Sequence, residues 1–192
     1  LEGSPSEVRY QRKNIKRLSK KYGGLIGGGK EGKVGYNITM VIAYIREFFV
    51  PQGILGETLE TAVPWSKINQ VKDEANKLLI ELHKKYNLPG KPFFCSRVSK
   101  VYHSGICMYN TVAINVRGID KPDEVFSKIE HALRDCFIKN GGSISHHHGV
   151  GKLRKDFMQD TISDGSIEMI QNIKNSQDPN NIFGINNNIV SD

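Results

Sequence analysis

The sequence predicts an α+β fold, an antiparallel sheet with helices packed on one face and a helical segment at the C-terminal end. Three observations predict it. Two strand-like runs, 93–102 and 105–117, follow each other directly. Amphipathic helical patterns precede and follow them. Glycine and proline pairs punctuate the junctions.

The elements run in order along the chain. Leu1-Glu2-Gly3 trails a strand that begins earlier. Ser4, Pro5 and Ser6 give a cap-and-start signal for a helix to about Tyr22, with Val8, Ile15 and Leu18 at helical spacing. Gly23-Gly24 ends it, and residues 27–35 form a glycine loop. A second helix spans Tyr36 to Phe49 and stops at Pro51 and Gly53. Pro64-Trp65-Ser66 opens a third, long helix to about Tyr86, with Val71, Ala75, Leu79 and Leu82 facing inward. Pro89-Gly90-Lys91-Pro92 is a turn. The two strand runs alternate around Phe94, Arg97 and Val98, and around Ile106, Met108, Thr111 and Ala113. Asp123 to Ile138 is helical, with Val125, Ile129, Leu133 and Phe137 on one face. Ser143-Ile144-Ser145 is a short strand leading into three consecutive histidines. Phe157 to Asn175 is helical, Asp178-Pro179-Asn180-Asn181 is a turn, and an Asn-rich tail comes last.

Composition sets the bounds. The 192 residues fit one domain or somewhat more, and 38% hydrophobic residues suffice for a core. The formal charge of +7 fits a phosphorylated substrate, a membrane surface or nucleic acid. No nucleic-acid-binding module is recognisable, so no nucleic-acid partner is expected. Cys95, Cys107 and Cys136 share no metal spacing and read as reduced thiols of an intracellular compartment. No apolar run approaches a membrane span, which needs about 20 residues. The start at Leu1, without Met or a signal peptide, predicts a piece of a longer protein.

Four motifs compete for the chemistry. Gly24 to Lys30 has most of a phosphate-binding P-loop, but Glu31 stands where Ser or Thr would hold magnesium. It reads as an exposed glycine loop. His146-His147-His148, with Gly149, Gly151, Lys152, Arg154 and Lys155 after it, is a costly composition for a linker and reads as a site for an anionic ligand. No metal is expected there. Neighbours in an extended segment point to opposite faces, so at most His146 and His148 share one. Tyr109, inside a predicted strand, is by physics alone an ordinary half-buried aromatic. A proton-transferring tyrosine needs nearby cations to lower a phenol pKa that is ordinarily about 10. Arg46, in the second helix, is either a surface arginine paired with a glutamate or a clamp on a carboxylate or phosphate.

The run Ser143 to Lys155 resembles the signature of the alkyldihydroxyacetonephosphate synthase (alkylglycerone-phosphate synthase) family. Gly35-Tyr36, Val41 to Arg46, Leu55 to Thr58, Ala62 to Trp65, Asn140 to Gly142 and Asp178 to Gly184 agree with it in order along the chain. The wider group of FAD-linked oxidases of the vanillyl-alcohol-oxidase type carries a related His-Gly-x-Gly element, here His148 to Gly151.

The resemblance implies the C-terminal part of a flavoenzyme, with residues 1–140 as a substrate-binding cap and 141–192 as a segment returning to the flavin. It implies exchange of the acyl chain of acyl-dihydroxyacetone phosphate for a long-chain fatty alcohol, forming the ether bond of ether lipids without net redox. FAD is the implied cofactor, held by a domain outside this chain. It places proton transfer on Tyr109, catalytic roles on His146, His147 and His148, and substrate contact on Arg46. It matches residues 185–189 to a tail segment needed for activity. After Tyr109 the family continues with aromatics, where this chain has Asn110-Thr111-Val112. It implies a peroxisomal homodimer with peripheral membrane association, although Val190-Ser191-Asp192 is not a peroxisomal address. Two other readings stand beside it: an FAD-dependent 2-hydroxy-acid dehydrogenase of the same superfamily, and a non-enzymatic anion- or RNA-binding module.

Overall fold

The computed structural model describes residues 1–185 and 187, with only the backbone of Ile42 and Ala43. Two compact units make up the chain, Leu1–Phe48 and the remainder from Phe49 onward.

The first unit is helical. Helix α1, Pro5–Lys21, starts with a capping box: the Ser4 side chain accepts from the Glu7 N–H while Glu7 reaches back to the Ser4 N–H. Helix α2 spans Gly29–Phe49. It therefore begins seven residues before the predicted start and takes in most of the expected glycine loop. Glu31 accepts the Gly28 N–H at 2.6 Å, anchoring a helix start where a P-loop would bind phosphate.

The second unit carries the predicted α+β architecture. Strand β1 covers Ile54–Pro64, helix α3 Ile68–Lys85, strand β2 Phe93–Val101, strand β3 Gly105–Asn115 and helix α4 Pro122–Lys139. Short helix α5 (Gly151–Arg154) and helix α6 (Asp164–Gln177) complete it. The sheet order is β1-β3-β2, antiparallel throughout.

Strand alternation divides the residues between the two sheet faces. Leu59 and Val63 of β1 with Ile106, Met108, Val112 and Ile114 of β3 face the helices. They close on Val71, Ala75 and Leu79 of α3 and on Ile129, Leu133 and Phe137 of α4. Asn110 belongs to this face. It is fully buried, donates to the Leu59 carbonyl at 3.1 Å and accepts from the Ser96 hydroxyl. The departure from the family's aromatics therefore ties the three strands together on the side away from Tyr109.

Three further expectations are corrected. The sequence predicts no element between Gly53 and Pro64, yet β1 is there, paired with β3 along its whole length. The segment 143–145 is not a strand, although the Ser143 N–H donates to the Ala62 carbonyl and the Ser143 hydroxyl oxygen accepts the Ala62 N–H at the edge of β1. The last helix starts at Asp164, not Phe157. Ser163 caps it, and Phe157 and Met158 are buried in the turn before it. No helix among the described residues is long and apolar enough to cross a membrane.

Candidate active site

The face of the sheet turned away from α3 and α4 carries Thr58, Glu60 and Ala62 from β1, Cys107, Tyr109 and Thr111 from β3, and Cys95 and Arg97 from β2. Pairing register places Glu60, Tyr109 and Arg97 side by side in one row across three strands. Direct cross-strand neighbours of this kind interact strongly. The Arg97 guanidinium lies over the Tyr109 ring, 4.6 Å from its centroid. The Tyr109 hydroxyl donates to Thr58 Oγ1 at 3.2 Å.

The histidines come to this row because the chain between α4 and α5 is stitched to β1. Ser143 N–H donates to the Ala62 carbonyl at 2.9 Å, Ala62 N–H donates to Ser143 Oγ at 2.8 Å, and Thr61 Oγ1 donates to the Ser143 carbonyl at 2.9 Å. Gly142 is needed at the entrance. A Cβ there would stand 2.4 Å from Thr61 Oγ1 and 2.8 Å from the Phe137 carbonyl oxygen. Gly142→Ala is expected to cost about 1–3 kcal/mol through this clash. Urea titration beside wild type would show it; an unchanged midpoint would mean the stitch yields freely.

Glu60 organises the histidine loop. Its side chain is wholly buried. Oε1 accepts the backbone N–H of His146 (2.7 Å), His147 (2.5 Å) and His148 (2.7 Å), with Ser145 Oγ at 3.2 Å. Three successive amides converging on one oxygen form an anion-binding concavity, filled here by the protein's own carboxylate. The run is therefore bent rather than extended, and the expected alternation of faces does not hold. His147 stacks on Tyr109 with centroids 6.0 Å apart, and His148 meets the same ring edge-on at 5.7 Å. The His146 Nε2 hydrogen-bonds the Tyr102 hydroxyl instead. Arg154, buried, donates to the Gly149 carbonyl at 3.1 Å and holds the far end of the loop.

Electrostatics derive from this geometry. Burial opposes ionisation of Glu60, but the amides of His148, His146 and His147 outweigh it and hold the carboxyl down at about 2, against an ordinary 4.5. A carboxyl depressed on folding contributes stability above its unfolded value, and that contribution disappears as pH falls from about 4.5 to about 2. Wild type is expected to lose on the order of a few kcal/mol in that window, and Glu60→Gln to lose less. Parallel acid unfolding curves would refute this. Burial pushes the His148 imidazole below its ordinary value, with Glu60 opposing, so His148 is neutral at neutral pH. Glu60, His147 and His148 bring an oxygen and two ring nitrogens within 4.8 Å of one another. Of these, Glu60 is already engaged by the backbone amides and by the His147 ring.

Tyr109, His147 and His148 are thus gathered at one place, and His146 stands beside them. Arg46 lies on α2 in the other unit and is exposed there. Of the tail stretch 185–189, residues 186, 188 and 189 fall outside the described residues. Sequence reasoning misses Glu60, a charge in an unrecognised strand, and sees Arg97 only as an alternating strand position. Period-two placement of Thr58, Glu60 and Ala62 opposite Leu59, Thr61 and Val63 is the available signal.

The chain is similar to known proteins. The alkyldihydroxyacetonephosphate synthase of Caenorhabditis elegans is 38% identical over 182 residues, covering 95% of this chain and 30% of that protein. The Dictyostelium discoideum protein of the same name is 25% identical over 95% of this chain and 29% of its own length. A solved alkyldihydroxyacetonephosphate synthase superposes with a TM-score of 0.61 at 19% identity, covering 90% of this chain and 28% of that one, a likeness of fold. The chain spans less than a third of these relatives. A family profile described as FAD linked oxidases, C-terminal domain, matches residues 13–185, and the chain belongs to that family.

Proposed function

We propose that this chain is the C-terminal part of an FAD-dependent alkyl transferase. It exchanges the acyl chain of acyl-dihydroxyacetone phosphate for a long-chain fatty alcohol, leaving an ether. One observation carries the reading: a phenol, two imidazoles and a guanidinium share one row and its overlying loop on the sheet face that no described helix of this unit covers. The open face fits a planar ring system and an anionic substrate, because it presents aromatic edges and cations together. Tyr109, His147, His148 and Arg97 are the residues of this chain that would meet the flavin and the substrate.

When bound, FAD supplies an electrophilic ring. The remaining work is done by this chain. Tyr109 moves the proton next to the substrate carbonyl, with Thr58 holding its hydroxyl in line. His148, neutral, accepts a proton from the incoming alcohol. Arg97 binds the phosphate dianion as a fixed cation. Arg46 is proposed as a further substrate contact, and the enzyme as a peroxisomal homodimer with peripheral membrane association.

The test uses the full-length FAD-loaded protein with acyl-dihydroxyacetone phosphate and a labelled fatty alcohol. Labelled ether product with release of the fatty acid, and no electron acceptor needed, is expected. Flavin bleaching by a 2-hydroxy acid alone, with electrons passing to an acceptor and no ether formed, would replace this reading with the dehydrogenase.

A further inference from the structure

We infer that Glu60 is a positioning residue that fixes the proton of His147 on Nδ1 and leaves Nε2 as that ring's working atom. The inference rests on the transferase reading for its kinetic consequence only.

Glu60 has two oxygens with different surroundings. Oε1 is used up by the three histidine amides. Oε2 is sealed from solvent and has no conventional hydrogen bond among the described residues. Against it lies His147 Nδ1, in ion-pair contact, with His146 Nδ1 3.9 Å away. A buried carboxylate oxygen facing a nitrogen lone pair is repulsive and unpaired, which costs about 1–3 kcal/mol or more. A proton on His147 Nδ1 removes that cost.

The neighbouring ring agrees. His146 Nδ1 and His147 Nδ1 stand 3.2 Å apart, so protons on both would collide. With the proton on His147, His146 presents a lone pair at Nδ1, carries its own proton on Nε2 and donates it to the Tyr102 hydroxyl. This assignment puts a proton against an acceptor at each contact from Glu60 to Tyr102, the Glu60–His147 contact being a close ion-pair approach rather than an aligned hydrogen bond. The reverse assignment leaves Glu60 Oε2 bare. The other nitrogen of His147 is then the atom that meets substrate, on a ring stacked against Tyr109. The carboxylate acts through the imidazole, as the aspartate of a catalytic triad orients its histidine.

Glu60→Gln separates this role from mere support. The glutamine oxygen still accepts the three amides. Its NH2 faces His147 Nδ1 and requires a lone pair there, so the His147 proton moves to Nε2. Nitrogen NMR of full-length FAD-bound protein labelled with 15N-histidine reads this directly, with the His147 signals identified by their loss in His147→Gln. The expected result is an Nδ1-protonated His147 in wild type, an Nε2-protonated His147 in Glu60→Gln, and kcat lower by about 100-fold with KM changed by about twofold at most. A bare Nδ1 in wild type overturns the proposal, whether or not the variant folds. An unchanged tautomer or undiminished kcat in a folded Glu60→Gln does the same. If wild type forms no ether product, the transferase reading falls while the tautomer result still decides the role of Glu60.

Discussion

Tyr109→Phe is expected to lower turnover of the full-length enzyme by about 10²–10⁴-fold, the range general acid–base catalysis supplies. The substitution removes one hydroxyl and leaves the ring that Arg97, His147 and His148 pack against. The hydroxyl donates to Thr58 Oγ1 on the neighbouring strand at a half-buried position, so little stability is lost with it. FAD content and the melting temperature should match wild type while ether product disappears. Rapid-quench assays with acyl-dihydroxyacetone phosphate would check it. A variant within threefold of the wild-type rate, on the order of 0.6 kcal/mol in the barrier, would take the tyrosine out of the chemistry and return it to the role of a strand aromatic.

The largest loss of stability is expected from Phe137→Ala, about 3–5 kcal/mol. Phe137 is 1% exposed and the largest fully buried side chain of the sheet-and-helix core. Truncation would leave a cavity between α4 and the sheet. It has a second consequence. The Phe137 carbonyl accepts the Gly142 N–H at 2.8 Å, and the next residue, Ser143, is the one stitched to β1. Loosening the end of α4 therefore loosens the loop that presents the histidines. Urea titration of the full-length protein followed by circular dichroism should show the lower midpoint, with activity lost before the global transition. A cost below about 1 kcal/mol would mean that the core closes over the gap and that the helix end is not what holds the loop.

Much of the fold is legible because it rests on local patterns. Helices α3 and α4 repeat apolar residues at helical spacing, and α1 carries its capping box in four consecutive positions. Strand β3 alternates, but the sequence reading loses phase after Met108: Thr111 and Ala113 lie on the outer face, and Val112 and Ile114 point into the core. Errors fall where local signals conflict. Gly29, Gly32 and Gly35 suggest a loop, but they lie inside α2. Phe157 and Met158 look like the first apolar residues of a helix, yet burial in a turn claims them and Ser163 caps the helix later.

The sequence by itself determined the residue types of the site: a phenol within a strand, and three imidazoles bracketed by glycine and cations. The tertiary structure decided which of them meet. Glu60 and Tyr109 are 49 residues apart in the chain and become neighbours only through the register of β1 against β3. His147 joins them because Ser143 locks onto the edge of β1. No periodicity announces that a single glutamate will be buried, for its cost in isolation is prohibitive. The three backbone amides folded onto Glu60, with the Ser145 hydroxyl and the His147 ring, make that burial stable, and they belong to the loop whose histidines it holds in place.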